Sequence, residues 1–161
     1  QALRYAADVC RCDHEIVLAA VKHAGSALQH AADVCRRDHE VVLAAVDQYW
    51  ATGALQHAAD ECKSDRGIVL TAVKRDGQAL RYAADVCRCD HEIVLAAVKH
   101  AGSALQHAAD VCRRDHEVVL AAVDQYWATG ALQHAADECK SDRGIVLTAV
   151  KRDGQALRYA A

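Results

Sequence analysis

The chain has 161 residues, of which 25% are charged, and a net charge of −3 at pH 7. That acidic balance argues against nucleic-acid binding through phosphates, which needs a clustered basic surface. No apolar run approaches the ~18 residues that span a bilayer. Met, Phe, Pro and Asn are absent and alanine is abundant, so nothing interrupts helices and the class predicted is all-α.

Residues 1–25, "QALRYAADVCRCDHEIVLAAVKHAG", open the chain as a predicted helical hairpin. Leu3, Ala6, Ala7 and Cys10 fall at i, i+3, i+4 and i+7, one face of a first helix. Asp13 stands where an N-cap belongs, before a second apolar run with Val17, Ala20 and Val21 as its inward stripe. Gly25, and in the next two segments Gly53 and Gly77, are placed to end that run as C′ residues with positive φ, and Ser26 to cap the next helix. Residues 26–53 and 54–77 repeat the plan with Leu28, Ala31, Ala32, Cys35 and Asp38, then Leu55, Ala58, Ala59, Cys62 and Asp65. The middle segment carries three extra residues before Gly53, within "DQYWATG".

Residues 1–77 recur without change as 78–154, with hairpins at 78–102, 103–130 and 131–154, and 155–161 begin a third unit. A helix pair of ~25 residues cannot bury its own apolar face, so such pairs must stack into an α-solenoid, three hairpins per 77-residue repeat. Neither end has the polar capping repeat that closes most solenoids. The expectation is an open-ended superhelix, a window on a longer repetitive chain or a unit stacking head to tail.

The stretch "ALQHAADVCRRDHEVVLAAVDQ", residues 27–48, resembles the tandem helical repeats of the domain of unknown function 4116 family. The match is specific for the half from Asp38 to Val46 and extends over the whole chain, segment after segment. It departs at Cys10, Cys35 and Cys62, where the family usually has Leu, and at Gly67, where an acidic residue is lost. The resemblance implies a helical repeat array and carries no catalytic residues.

The candidate sites are few. Cys10, Cys35 and Cys62 share the inward register, which free cysteine fills as a small hydrophobe. Cys12 and its copy Cys89 align with Arg37 and Ser64, polar turn residues, so they are the thiols free for a disulfide or an intermolecular contact. The partners considered are a neighbouring hairpin's cysteine, such as Cys35 for Cys12 or Cys62 for Cys89, or another chain. Cys10, Cys12 and His14 lack zinc spacing, and no metal or cofactor is expected. The histidines read as amphipathic surface residues, with stacked histidines as a pH-sensitive lateral contact in the sharper reading. Tyr49 and Trp50, with Tyr126 and Trp127, are candidate assembly contacts recurring every third hairpin.

The role these features predict is non-enzymatic. The chain reads as part of a longer repetitive polypeptide that self-assembles into a filament or superhelical fibre, its partner being itself. The alternative is a solenoid scaffold for another protein. No nucleic acid or membrane insertion is expected, and an even cysteine count would suit an extracellular or surface fibre.

Overall fold

The computed structural model describes residues 2–5, 7–48, 53–125 and 130–161. All regular structure among them is helical, and three elements recur in fixed order: a 3₁₀ helix, a short α-helix and a longer α-helix. The first set is Ala2–Tyr5, Asp8–Cys12 and His14–His23. Then come Gly25–His30, Asp33–Arg36 and His39–Val46, followed by Ala54–His57, Asp60–Ser64 and Arg66–Arg75. The second unit repeats them as Gly77–Tyr82, Asp85–Arg88 and His91–His100, then Gly102–His107, Asp110–Arg113 and His116–Val123, then Ala131–His134, Asp137–Lys140 and Arg143–Arg152. A 3₁₀ helix at Gly154–Tyr159 follows.

Like packs on like. Each long helix lies against the long helix of the next repeat, and each 3₁₀ helix against the next 3₁₀ helix. The 3₁₀ helix Gly25–His30 also packs against both His14–His23 and His39–Val46, so it wedges between consecutive long helices. The molecule is therefore an all-α repeat solenoid. Its core is a set of rows running along the stack. Leu28, Leu55, Leu80, Leu105 and Leu132 form one, and Val42, Val69, Val94 and Val119 another, all fully buried. At about 1.5–3 kcal/mol for each large aliphatic side chain, these rows are the main favourable term. No polar or charged side chain among the described residues is buried in the core.

The predicted N-caps are present in all six repeats. Asp13, Asp65, Asp90 and Asp142 accept from the backbone N–H of Ile16, Ile68, Ile93 and Ile145, and Asp115 from that of Val118. Asp38 accepts from two, those of Glu40 and Val41. Val17 and Val21 are fully buried as the inward stripe of the first long helix.

Three local expectations are corrected. The first arm of each hairpin is not one α-helix: between the 3₁₀ turn and the short α-helix the chain is extended, with ψ of 151° at Ala31 and 161° at Ala32. Alanine's helix preference amounts to a few tenths of a kcal/mol over ordinary residues. It yields here to a hydrogen bond between repeats, worth about 1 kcal/mol, that only the extended conformer can make. Gly25 and Gly77 are not left-handed C′ residues but open the next 3₁₀ helix; among the described residues positive φ occurs only at Gly53 and Gly130. Ser26 lies inside the 3₁₀ helix and caps nothing, whereas Asp76 accepts from the Gln78 N–H at 2.9 Å.

Candidate functional site

The junction between consecutive repeats is where the sequence-specific side chains converge. It has three kinds of rung.

The first rung is backbone. The extended second alanine of each Ala-Ala pair has its N–H free of intrahelical bonding. It donates to a carbonyl at the end of the preceding short helix, an acceptor that a helix terminus leaves open. The bonds are Ala32 to Arg11 at 2.9 Å, Ala59 to Arg36, Ala84 to Lys63, Ala109 to Arg88 and Ala136 to Arg113 at 3.0 Å, and Ala161 to Lys140 at 3.2 Å.

The second rung is sulfur. Cys35, Cys62, Cys87 and Cys112 each donate their S–H, at 3.5 Å, to the carbonyl of Cys12, Arg37, Ser64 and Cys89 respectively. Cys139 reaches the Arg114 carbonyl at 3.4 Å. Every acceptor precedes a capping aspartate. The cysteine thus does what leucine cannot: it fills an apolar position and carries a weak donor to the turn of the neighbour. Burial pushes these thiols up from their ordinary range, that of Cys112 to about 11, with the neighbouring Cys89 and carboxylates adding to the effect. They are held as neutral donors.

The third rung is charge. The residue after each of the first five capping aspartates reaches the cap of the next repeat. His14 Nε2 lies 3.6 Å from Asp38 and 3.7 Å from Glu40, and His39 lies 3.5 Å from Asp65. Arg66 pairs with Asp90 at 3.1 Å and with Glu92. His91 meets Asp115 and Glu117, and His116 meets Asp142. Where Gly67 and Gly144 replace the second acid, only the cap remains as partner. Burial pushes the Asp90 carboxyl up, but the Ile93 N–H and the Arg66 guanidinium outweigh it and hold it below the carboxylate range. Asp142 is lowered chiefly by the Ile145 N–H, with His116 contributing. Along this row a histidine or arginine alternates with carboxylates, and the histidine pairs are ionic only when the imidazole is protonated.

A second histidine row lies on the 3₁₀ helices. His30, His57, His107 and His134 are half-buried, and burial first, then nearby arginines, lowers each from the usual histidine value. Between the short-helix and 3₁₀ rows lies a polar cleft of about 390 Å³, with Arg36, Arg37, His57 and Glu61 among its lining. Its 77-residue counterpart, with Arg113, Arg114, His134 and Glu138, is about 290 Å³.

Of the predicted site residues, Cys12 and Cys89 are exposed as expected, and all eight cysteines are free. Cys89 neighbours Cys112 of the following repeat through its carbonyl, in the same relation as Cys12 to Cys35. Tyr49, Trp50, Tyr126 and Trp127 lie outside the described residues. Among the described residues no group of three or more His, Cys, Asp or Glu is placed to hold a metal ion, and no helix is long and apolar enough to cross a membrane. The charge rung was missed from the sequence, although its signal is there: a cation in one repeat and a cap 24 residues on, as from Arg66 to Asp90.

These rungs define the class of protein: a tandem-repeat α-solenoid, a repeat scaffold whose recurrent feature is the contact between neighbours. The signature of the domain of unknown function (DUF4116) matches residues 13–52, 38–85, 90–129 and 129–161, and the chain belongs to that family. Neither the curated proteins compared with the chain nor the solved structures gave a match.

Proposed function

We propose that the chain is a non-enzymatic structural array whose repeats continue the same stack from molecule to molecule, building a filament or superhelical fibre. The observation that carries this reading is that the internal junctions repeat the same backbone bond, from Ala32–Arg11 to Ala136–Arg113, so one copy of the face fits the next. Ile93, with a repeat stacked before it, is 0% exposed, while its copy Ile16 is 44% exposed. At the other end Leu157 is 62% exposed and its copy Leu80 is 0%. The two faces are complementary, because each internal junction already joins them.

Covering Ile16 and Leu157 contributes about 1–2 kcal/mol each. Association costs about 4–15 kcal/mol in lost freedom. Two side chains do not meet that cost, so assembly requires the whole face with its three rungs and depends on concentration. Light scattering across concentration, with negative-stain microscopy, tests this. Growth of elongated particles is expected, and Ile16→Asp, at a side chain already partly in water, abolishes it without unfolding the chain. A monodisperse 17.4 kDa species at high concentration would overturn the reading.

A second reading is a scaffold for another protein. It draws on the row of exposed Val9, Val34, Val86 and Val111 on the short helices. A stable monomer whose Val34→Asp and Val111→Asp variant loses a bound partner would favour it.

A further inference from the structure

Two junctions carry a pair of thiols that the others lack. Cys35 lies 3.5 Å from the carbonyl oxygen of Cys12, and Cys112 lies 3.5 Å from that of Cys89. At the remaining junctions Arg37, Ser64 and Arg114 stand where Cys12 and Cys89 do, so a single sulfur faces an arginine or a serine. Standard backbone dimensions put a carbonyl oxygen about 2.4 Å from its own Cα, so Cys35 Sγ lies within about 6 Å of Cys12 Cα. That bound leaves room for the Cys12 side chain and an S–S bond of about 2.05 Å, the two links that must fit between Cys12 Cα and Cys35 Sγ.

We propose that Cys12–Cys35 and Cys89–Cys112 are oxidisable pairs that close reversible disulfides and lock one junction in every 77 residues. The two members of each pair are unequal in a way that orders the chemistry. Cys12 and Cys89 are exposed, while Cys35 and Cys112 are buried and held protonated. The exposed thiolate therefore attacks first. With a low-molecular-weight disulfide such as oxidised glutathione as oxidant, it forms a mixed disulfide and expels one glutathione thiolate. The buried thiol then gives up its proton to solvent, attacks the Cys12 sulfur and expels the second. One protein disulfide is gained and one glutathione disulfide is reduced to two thiols. Closing the bond removes the weak S–H···O hydrogen bond of the buried cysteine, and the backbone and charge rungs are untouched. The pairing stands whether the array forms a fibre or holds a partner, since it lies within a single chain.

The test is to equilibrate the whole chain across ratios of reduced to oxidised glutathione, alkylate it, and digest it with trypsin without reductant. The expected product joins the peptide of residues 12–22 to that of residues 23–36, a mass shared by the identical pair 89–99 and 100–113. Free thiols fall from eight to four, on a monomeric band in a non-reducing gel. The Cys12→Ser and Cys89→Ser chain loses this product and keeps its six thiols. It folds, because Ser64 and Ser141 already occupy that register. Eight free thiols at every ratio, links between other cysteines, or disulfide-bonded dimers would each overturn the proposal.

Discussion

Replacing Gly77 with alanine isolates what stacking does to a residue. A Cβ built on Gly77 lies 2.4 Å from the Ala97 carbonyl oxygen, 3.1 Å from the Ala101 nitrogen and 3.2 Å from the Ala101 Cβ. Ordinary non-bonded contact is about 3.5–4.0 Å, so the closest approach overlaps by about 1 Å. The atom struck is backbone at the end of the long helix His91–His100, which cannot swing aside as a side chain would. Overpacking of this kind costs about 1–3 kcal/mol, and the rigidity of the neighbour places Gly77→Ala in the upper half. Gly154 has the same flanking sequence, but nothing lies within 4 Å of its Cβ position. Neither glycine has positive φ. Gly154→Ala is therefore stabilising by about 0.4–1 kcal/mol, because alanine has fewer unfolded states to lose. The same substitution in the same sequence thus has opposite signs, with the two variants about 2–4 kcal/mol apart. Urea denaturation followed by helical circular dichroism measures both. Two variants within about 0.5 kcal/mol of each other would refute the close stacking of Gly77 on the following repeat.

The half-buried histidines give the pH response its sign. His30, His57, His107 and His134 have folded-state values below the ordinary 6.5, through burial first and then through neighbours such as Arg36, Arg81 and Arg113. The unfolded chain binds the protons more readily, so stability is full above pH 6.5 and declines as pH falls through that value. The melting temperature is expected to drop between pH 7.5 and 5.5, less steeply in His107→Gln with His134→Gln; a rise on acidification would contradict this. Cys62→Ala removes a fully buried side chain and the donor to the Arg37 carbonyl. A loss of roughly 1–2 kcal/mol in chemical denaturation is expected, against no measurable loss for Cys12→Ser. Equal losses would show that the sulfur rung adds nothing to packing.

The repeat, the helical class, the capping aspartates and the leucine and valine rows were legible in the sequence, and for one reason. Each depends on a pattern within ~25 residues: a period, a cap before an apolar run, or an apolar residue at a fixed register. The candidate thiol Cys12 was legible by comparison of segments, because it alone broke the alignment with Arg37 and Ser64. What escaped was set by the neighbouring repeat. Ala31 and Ala32 read as helix on propensity, but a cross-repeat bond holds them extended. Cys35 read as a substitute leucine, but its acceptor belongs to the turn of another repeat. His14 read as a surface residue, but its carboxylates lie 24 and 26 residues on. Gly77 read as a C-cap, but a helix that begins fourteen residues later decides its role.

The sequence by itself determined that identical units must stack, since no single hairpin buries its apolar face. Only the tertiary structure decided how they stack. Backbone and thiol hydrogen bonds, charge pairs and a glycine contact all join residues on different repeats, and no local propensity encodes the distance between two repeats. Cys12 shows the division. Its sequence marks it as the residue out of pattern, and the fold supplies the buried sulfur of Cys35 beside it.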